Sequence, residues 1–297
     1  MANLNFENIQ IEPAVLTWGQ QHLTKFTLKQ VIAGRHFLIS STTDDYYVWL
    51  DDGVASDPAV PGRTGIAVAY TSGQTPFQVL QAMATQLVAA GFNAKAYLKD
   101  EAIIYIQNKK MGAVTPSAIG SFLAAEAVIS NERAGFILDI GLTEDFELGL
   151  QTSLVDVTAS QFGATVLERL RNGMNIESIS VNMKEVVVSK MKAIMEPHYP
   201  EFTPTGGTPV QGIGNSKDFS NVSRDSGKLV IHPMRLPESD RTEDFAFWRA
   251  CPLLTGLNFS GESEQMMTVE FSILPDWLLD RAVAHGVFGD HEQNFLA

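Results

Sequence analysis

The residue groupings in this chain that could do chemistry are few, and each lacks a part its chemistry requires. Gly212-Ile213-Gly214 has the small residues of a phosphate-cradling loop, but no helix pattern follows and no Lys-Ser or Lys-Thr pair stands where a phosphate would be held. A turn is the plainer reading. His285 and His291, with Gly286, Gly289 and Asp290 beside them, carry metal-ligating groups at a spacing that fits neither a helix face nor a strand face. Asp44-Asp45 and Asp51-Asp52 bracket the run YYVWL. They are either oxygen donors for a hard cation or the solvated ends of a strand. Asp139, Glu144 and Asp145 could supply carboxylates for acid-base work, yet no pattern brings two of them together. Cys251 lies in the apolar run FAFWRACPLL, where a small buried hydrophobe is a better description than a nucleophile. Asn221 and Asn258 open N-x-S sequons, which matter only on a secretory route. These residues specify no catalytic group, metal centre or cofactor, and the expectation is a protein that is not an enzyme.

Composition narrows the classes further. At 297 residues, 45% hydrophobic and 19% charged, the chain can bury a substantial core as one large domain or two ordinary ones. No run of about 18 apolar residues occurs, and MANLNFENIQIE lacks a basic region followed by an apolar one, so neither a membrane span nor a secretory leader is expected. That places the chain in a cytoplasm or in something assembled there. A single cysteine excludes an internal disulfide framework. The net charge of −13 disfavours a protein that grips nucleic acid, because phosphate binding is driven by Lys and Arg. It is compatible with a surface that nucleic acid must pass without sticking.

The elements that would position any function centre on residues 146–195. Phe146, Leu148 and Leu150 alternate with Glu147, Gly149 and Gln151, and Val155 and Val157 with Asp156 and Thr158, the period of a strand with one covered face. Asn172-Gly173 predicts a tight turn. Ile179, Val181 and Met183 then continue the alternation, and Ser189 is expected to cap a helix of about two turns ended by Pro197. The middle of this arm, Asp156, Val157, Thr158, Ala159, Ser160, Gln161, Phe162 and Gly163, is small, polar and nearly uncharged. Such a segment is either a mobile surface loop or a surface that orders on a neighbour.

Around that arm the pattern is mainly β. An opening strand is expected over 6–18, interrupted at Pro13 and ended by Gly19, with a second extended piece in HLTKFTLKQVI. From Gly34 the texture changes, and residues 33–138 read as an inserted α+β domain of order β-β-β-α-β-β, flanked by a β domain made of 1–32 and 139–297. In the insert, HFLI, YYVWL and IAVAY are strands. Thr75-Pro76-Phe77-Gln78 is a helix start with a capping box, Leu80, Met83, Ala84, Leu87 and Val88 share a face, and Gly91 is a stop. A strand pair follows across Lys99-Asp100-Glu101. Residues 199–228 predict a long loop, LVIHPM and FAFWRACPLL further strands, and Met267, Val269, Phe271 and Ile273 the apolar face of a last one.

The segment VDVTASQFGATVLERLRNGMNIESISVNMKEVVVSKMKAIM resembles the signature region of the tail tube proteins of tailed bacteriophages. LVIHPMRLPESDRTEDFAFWRACPLL with MMTVEFSILPD resembles their closing region, and PAVLTWGQQHL their opening. Between that opening and its continuation at Ile140-Gly141-Leu142-Thr143-Glu144-Asp145 this chain interposes the insert, which itself is similar to a module recurring in phage structural proteins. The resemblance implies a tail-tube-like β-sandwich or barrel with a flanking short helix and a long β-hairpin arm. It implies homohexameric rings stacked into a tube through which genomic DNA is ejected without specific binding, in a virion assembled in the bacterial host cytoplasm. The partners it implies are further copies of the chain, tape measure, baseplate and neck proteins, and a sheath if the tail contracts. Two other roles fit the same residues: another virion ring or decoration protein on this fold, or a glycan-binding module using Tyr46, Tyr47 and Trp49.

Overall fold

The structure, a computed structural model, describes residues 14–159, 165–183, 188–195, 201–208, 210–211, 226–258 and 266–296. The chain divides into two compact units, one of Met1–Thr17 with Ile140–Pro275 and one of Trp18–Asp139 with Asp276–Ala297. Strands dominate and two short helices occur among the described residues, so the fold is mainly β with several antiparallel sheets.

After β1 (Ala14–Gln20), the second unit holds β2 (Leu23–Leu28), β3 (His36–Ser40), β4 (Asp45–Asp51), β5 (Thr64–Ala69), α1 (Pro76–Ala89), β6 (Phe92–Leu98), β7 (Ala102–Asn108), β8 (Ala118–Ile119) and β9 (Ala127–Arg133). They form two four-stranded sheets, β6-β7-β2-β9 and β5-β4-β3-β8, with β4 and β5 parallel. One core joins both sheets and the helix: Phe26 stacks on Phe37 at 4.3 Å, and Val48, Val68, Leu80, Met83, Leu87 and Ile104 surround them. The expected insert boundary at residue 33 is corrected by this pairing. β2 lies between β7 and β9, with Phe26 opposite both Ile104 and Ile129, and belongs to this unit although it precedes Gly34. The alternation of β2 alone does not say which sheet it joins.

Helix α1 begins as its local sequence requires. The Thr75 hydroxyl accepts from the Gln78 backbone N–H, and the Gln78 side chain accepts from the Thr75 N–H, with Pro76 in the first turn. Gly91 ends it with a φ of +92°, where a side chain would be strained, and its N–H donates to Val88 O. The buried face is Val79, Leu80, Met83 and Leu87; Val88, expected there, is 36% exposed.

The first unit contains β10 (Phe136–Ala159), β11 (Thr165–Met183), α2 (Val188–Met195), the short β12 (Glu201–Phe202) and β13 (Val210–Gln211), β14 (Gly227–Pro233), β15 (Phe245–Asn258) and β16 (Met266–Leu274); β17 (Gly286–Phe288) follows. Its strands run in the order β14-β1-β10-β11-β16-β15. β15 is shared, its first half pairing β14 and its second half β16, as a strand does when it turns a corner between two packed layers. β16 alternates as its sequence predicts, with Met267, Val269, Phe271 and Ile273 buried, opposite Met183, Val181 and Ile179 on β11 for the first three. Helix α2 lies against β15 and starts at Val188, so Ser189 is inside the helix and does not cap it. β1 runs through Gly19 to Gln20. A side chain at Gly19 would collide with Phe136 O at 2.2 Å, so glycine here permits close approach to β10 and does not end the strand.

Candidate functional site

The candidate in the first unit is the outer part of β10 and β11, beyond the last pair that β16 makes with β11. β16 pairs β11 only over Ser178–Met183. From Gly149 to Ala159 the partners described for β10 are residues of β11, ending at Ala159 opposite Thr165. Those eleven positions of β10 make a two-stranded ribbon of roughly 35 Å at the usual strand rise. Three register shifts interrupt it, between Gly149 and Leu150, Ser153 and Leu154, and Val157 and Thr158; each leaves one extra residue on β11, namely Glu177, Asn172 and Leu167. Extra residues always on the same strand bend a ribbon and increase its twist. The Asn172-Gly173 turn is corrected here: Gly173 pairs with Ser153 inside the ribbon, and Asn172 is a bulge. A dipeptide that favours a turn is absorbed because the flanking residues have a long partner strand to pair with.

The register also sorts residue types into rows. Near the base, Leu148 and Leu150 stand opposite Ile179 and Ile176, while the alternate row holds Gly149 and Gln151 opposite Ser178 and Asn175. Farther out the apolar pair is Val155 with Leu170, in the alternate row, and Asp156 stands opposite Arg169. Of the predicted assembly residues, Asp156, Val157, Thr158 and Ala159 form the last pairs of the ribbon, and Ser160, Gln161, Phe162 and Gly163 lie outside the described residues. A ribbon two strands wide is marginal alone, and strand borders with unused N–H and C=O groups invite another chain.

The other candidates resolve differently. Tyr47 and Trp49 are 4% and 6% exposed, so they are withdrawn from any glycan, and Tyr46 is half-buried and packs edge-on against Phe92 at 5.5 Å. The Asp51 and Asp52 carboxylates accept from the N–H groups of Gly53, Val54 and Ala55, which satisfies them locally. Asp44 takes the Thr43 hydroxyl, and Asp45 faces Arg63 at 3.9 Å. Cys251 is fully buried in β15. Among the described residues no three His, Cys, Asp or Glu side chains gather to hold a metal, and no helix is long and apolar enough to cross a membrane. Gly212-Ile213-Gly214 and Asn221 lie outside the described residues.

Two arrangements were not legible in the sequence. His232 Nδ1 lies 2.6 Å from Asp244 Oδ1 and its Nε2 lies 3.3 Å from Leu236 O, tying the turn after β14 to the start of β15. In the second unit, Tyr97, Tyr105 and Trp277 form a contiguous aromatic group, with centroids 5.7 and 5.9 Å apart. Trp277 stands more than 170 residues from its neighbours, and no local spacing could have signalled that meeting. No protein-family model, no curated protein and no solved structure matches this chain.

Proposed function

We propose that this chain is a virion structural protein, a tail tube subunit that self-assembles into stacked hexameric rings forming the channel for DNA ejection. The observation that carries this reading is the β10/β11 ribbon, which runs past the last β16 pair with no described partner but itself. A soluble monomer gains nothing from such a border, whereas identical copies can each complete the next one. The sequence resemblance of the same segment to tail tube proteins supports the same conclusion. The net charge of −13 suits a channel wall, since like charge keeps phosphates from binding.

Negative-stain electron microscopy of the concentrated protein tests this. Long hollow particles are expected from the intact chain. Deleting Thr158 to Gly163 is expected to leave a folded species, by circular dichroism, that no longer elongates. Normal tubes from the deletion would overturn the role of the arm. Single closed rings that never stack would replace the tube assignment with a neck, terminator or baseplate ring, and a concentration-independent monomer would end the assembly reading.

A further inference from the structure

Trp277 is 69% exposed, yet its neighbours Asp276 and Leu278 are 1% and 2% exposed. The turn is firmly held. Asp276 accepts from Arg133 at 3.0 Å and from the Leu278 N–H at 3.1 Å, and its own N–H donates to Ala284 O at 2.8 Å. The Tyr97 hydroxyl donates to Leu278 O at 3.5 Å. Exposure of this indole is thus built into a rigid turn and is not the fraying of a loose end. Its ring meets Tyr105 at 87°, and Tyr105 meets Tyr97 at 77°, so the rings form corners, edge against face.

Register supplies the surroundings. On the side of the β6-β7-β2-β9 sheet away from the core, Lys95, Tyr105, Lys25 and Ser130 form one row, and Tyr97, Ile103, Thr27 and Val128 the next. In a chain of net charge −13 these two rows hold two lysines and no carboxylate. Burial and then the Glu132 carboxylate disfavour ionisation of Tyr105, Asp276 is engaged by Arg133, and Asp100 and Glu101 lie in the turn that joins β6 to β7. The apolar area is limited to the rings and two aliphatic side chains, with Lys, Ser and Thr between, which is poor material for the core of a protein interface. A pyranose fits better: its C–H face packs on the electron-rich face of an indole while its rim of hydroxyls takes hydrogen bonds.

We propose that Trp277, Tyr105 and Tyr97 are a binding platform for an acidic oligosaccharide, whose sugar ring stacks on Trp277 and whose carboxylates are met by Lys25 and Lys95. This does not depend on tube assembly. Trp18, Trp49 and Trp248 are 2%, 6% and 7% exposed, so acrylamide quenching of the intact chain reads Trp277 almost alone. Oligogalacturonate is expected to protect it from quenching in a saturable, salt-sensitive way, and cellohexaose to bind at least tenfold more weakly. Tyr105→Ala and Lys95→Glu, with unchanged melting temperatures, should each weaken oligogalacturonate binding about tenfold or more, and Trp277→Ala should abolish it by calorimetry. Absence of protection by either sugar overturns the platform. Equal binding of cellohexaose overturns the role of the lysines, and protection by polyglutamate but not by the sugars would make the surface a site for acidic peptide.

Discussion

Tyr47 is core by burial and polar by its tip, and the two demands meet at Asp57, which accepts the phenol hydrogen bond at 2.5 Å. That bond, with a second from the Ala59 N–H, holds the Asp57 carboxyl below its ordinary 3.8, while Asp57 and burial push the Tyr47 phenol above 10.0. A depressed carboxyl contributes stability that is present above its ordinary value and lost as pH falls through the folded one; a raised phenol contributes stability lost as pH rises past 10. Tyr47→Phe is therefore expected to lower the melting temperature by a few degrees at pH 7 and to reduce the loss below pH 4, both read by thermal unfolding. His22 works at milder pH. It is buried, its Nε2 has no hydrogen-bond partner among the described residues, and burial, opposed by a bond with Asn131, lowers its pKa from 6.5. Protonation costs more in the folded state, so stability present above about pH 6.5 falls as the solution is acidified. His22→Gln should flatten the stability profile between about pH 6.5 and 5, a window set by the ordinary histidine value. Neither partner of Tyr47 or His22 could be read from the sequence, because burial is decided by which strands come to lie over them.

At the scale of elements, α1 is the most local in its logic. Thr75→Ala removes one half of the capping box and is expected to cost about 1 kcal/mol, measured as a shift in the urea midpoint without a change in slope. Met83→Ala, at a position wholly excluded from solvent, should cost roughly 2–5 kcal/mol through lost contacts and the cavity left behind. The start, the stop and most of the face of this helix were legible from Thr75, Pro76, Gln78 and Gly91, since caps act over three or four residues. The face itself was off by a fraction of a turn: Val79 is inside and Val88 outside, because β5, β6 and β7 all contact the helix and their placement selects the buried stripe. β16 was likewise legible, its period of two surviving intact. The β10/β11 ribbon was half legible. Alternation identified strands, but three bulges shift the phase, and a turn signal at Asn172-Gly173 is overruled by pairing with β10.

At the scale of the molecule, the division into two units makes a prediction about surgery. Replacing residues 33–138 by a linker would leave β2 without β7 and β9, exposing Phe26 and Leu28, which are otherwise 0% and 1% exposed. That chain is expected to aggregate. Replacing residues 21–135 instead, and stopping at Pro275, keeps β1 and β10 whole and removes the second unit together with its C-terminal segment; this chain should stay soluble with a β-type circular dichroism spectrum. Soluble, folded protein from the first deletion would show the boundary is wrong. The sequence by itself determined the strand-rich class, the capped helix, the alternating faces of β16 and of the Ile179–Met183 end of β11, and the absence of any recognisable catalytic spacing, because each depends on residues within one or two turns or pleats. Only the tertiary structure decided that β2 joins the second unit, that YYVWL turns inward, that Asn172 is a bulge, and that Trp277 meets Tyr105. Those outcomes rest on pairings between residues far apart in the chain, where the short-range pattern is equally content with several partners and burial against one particular sheet selects among them.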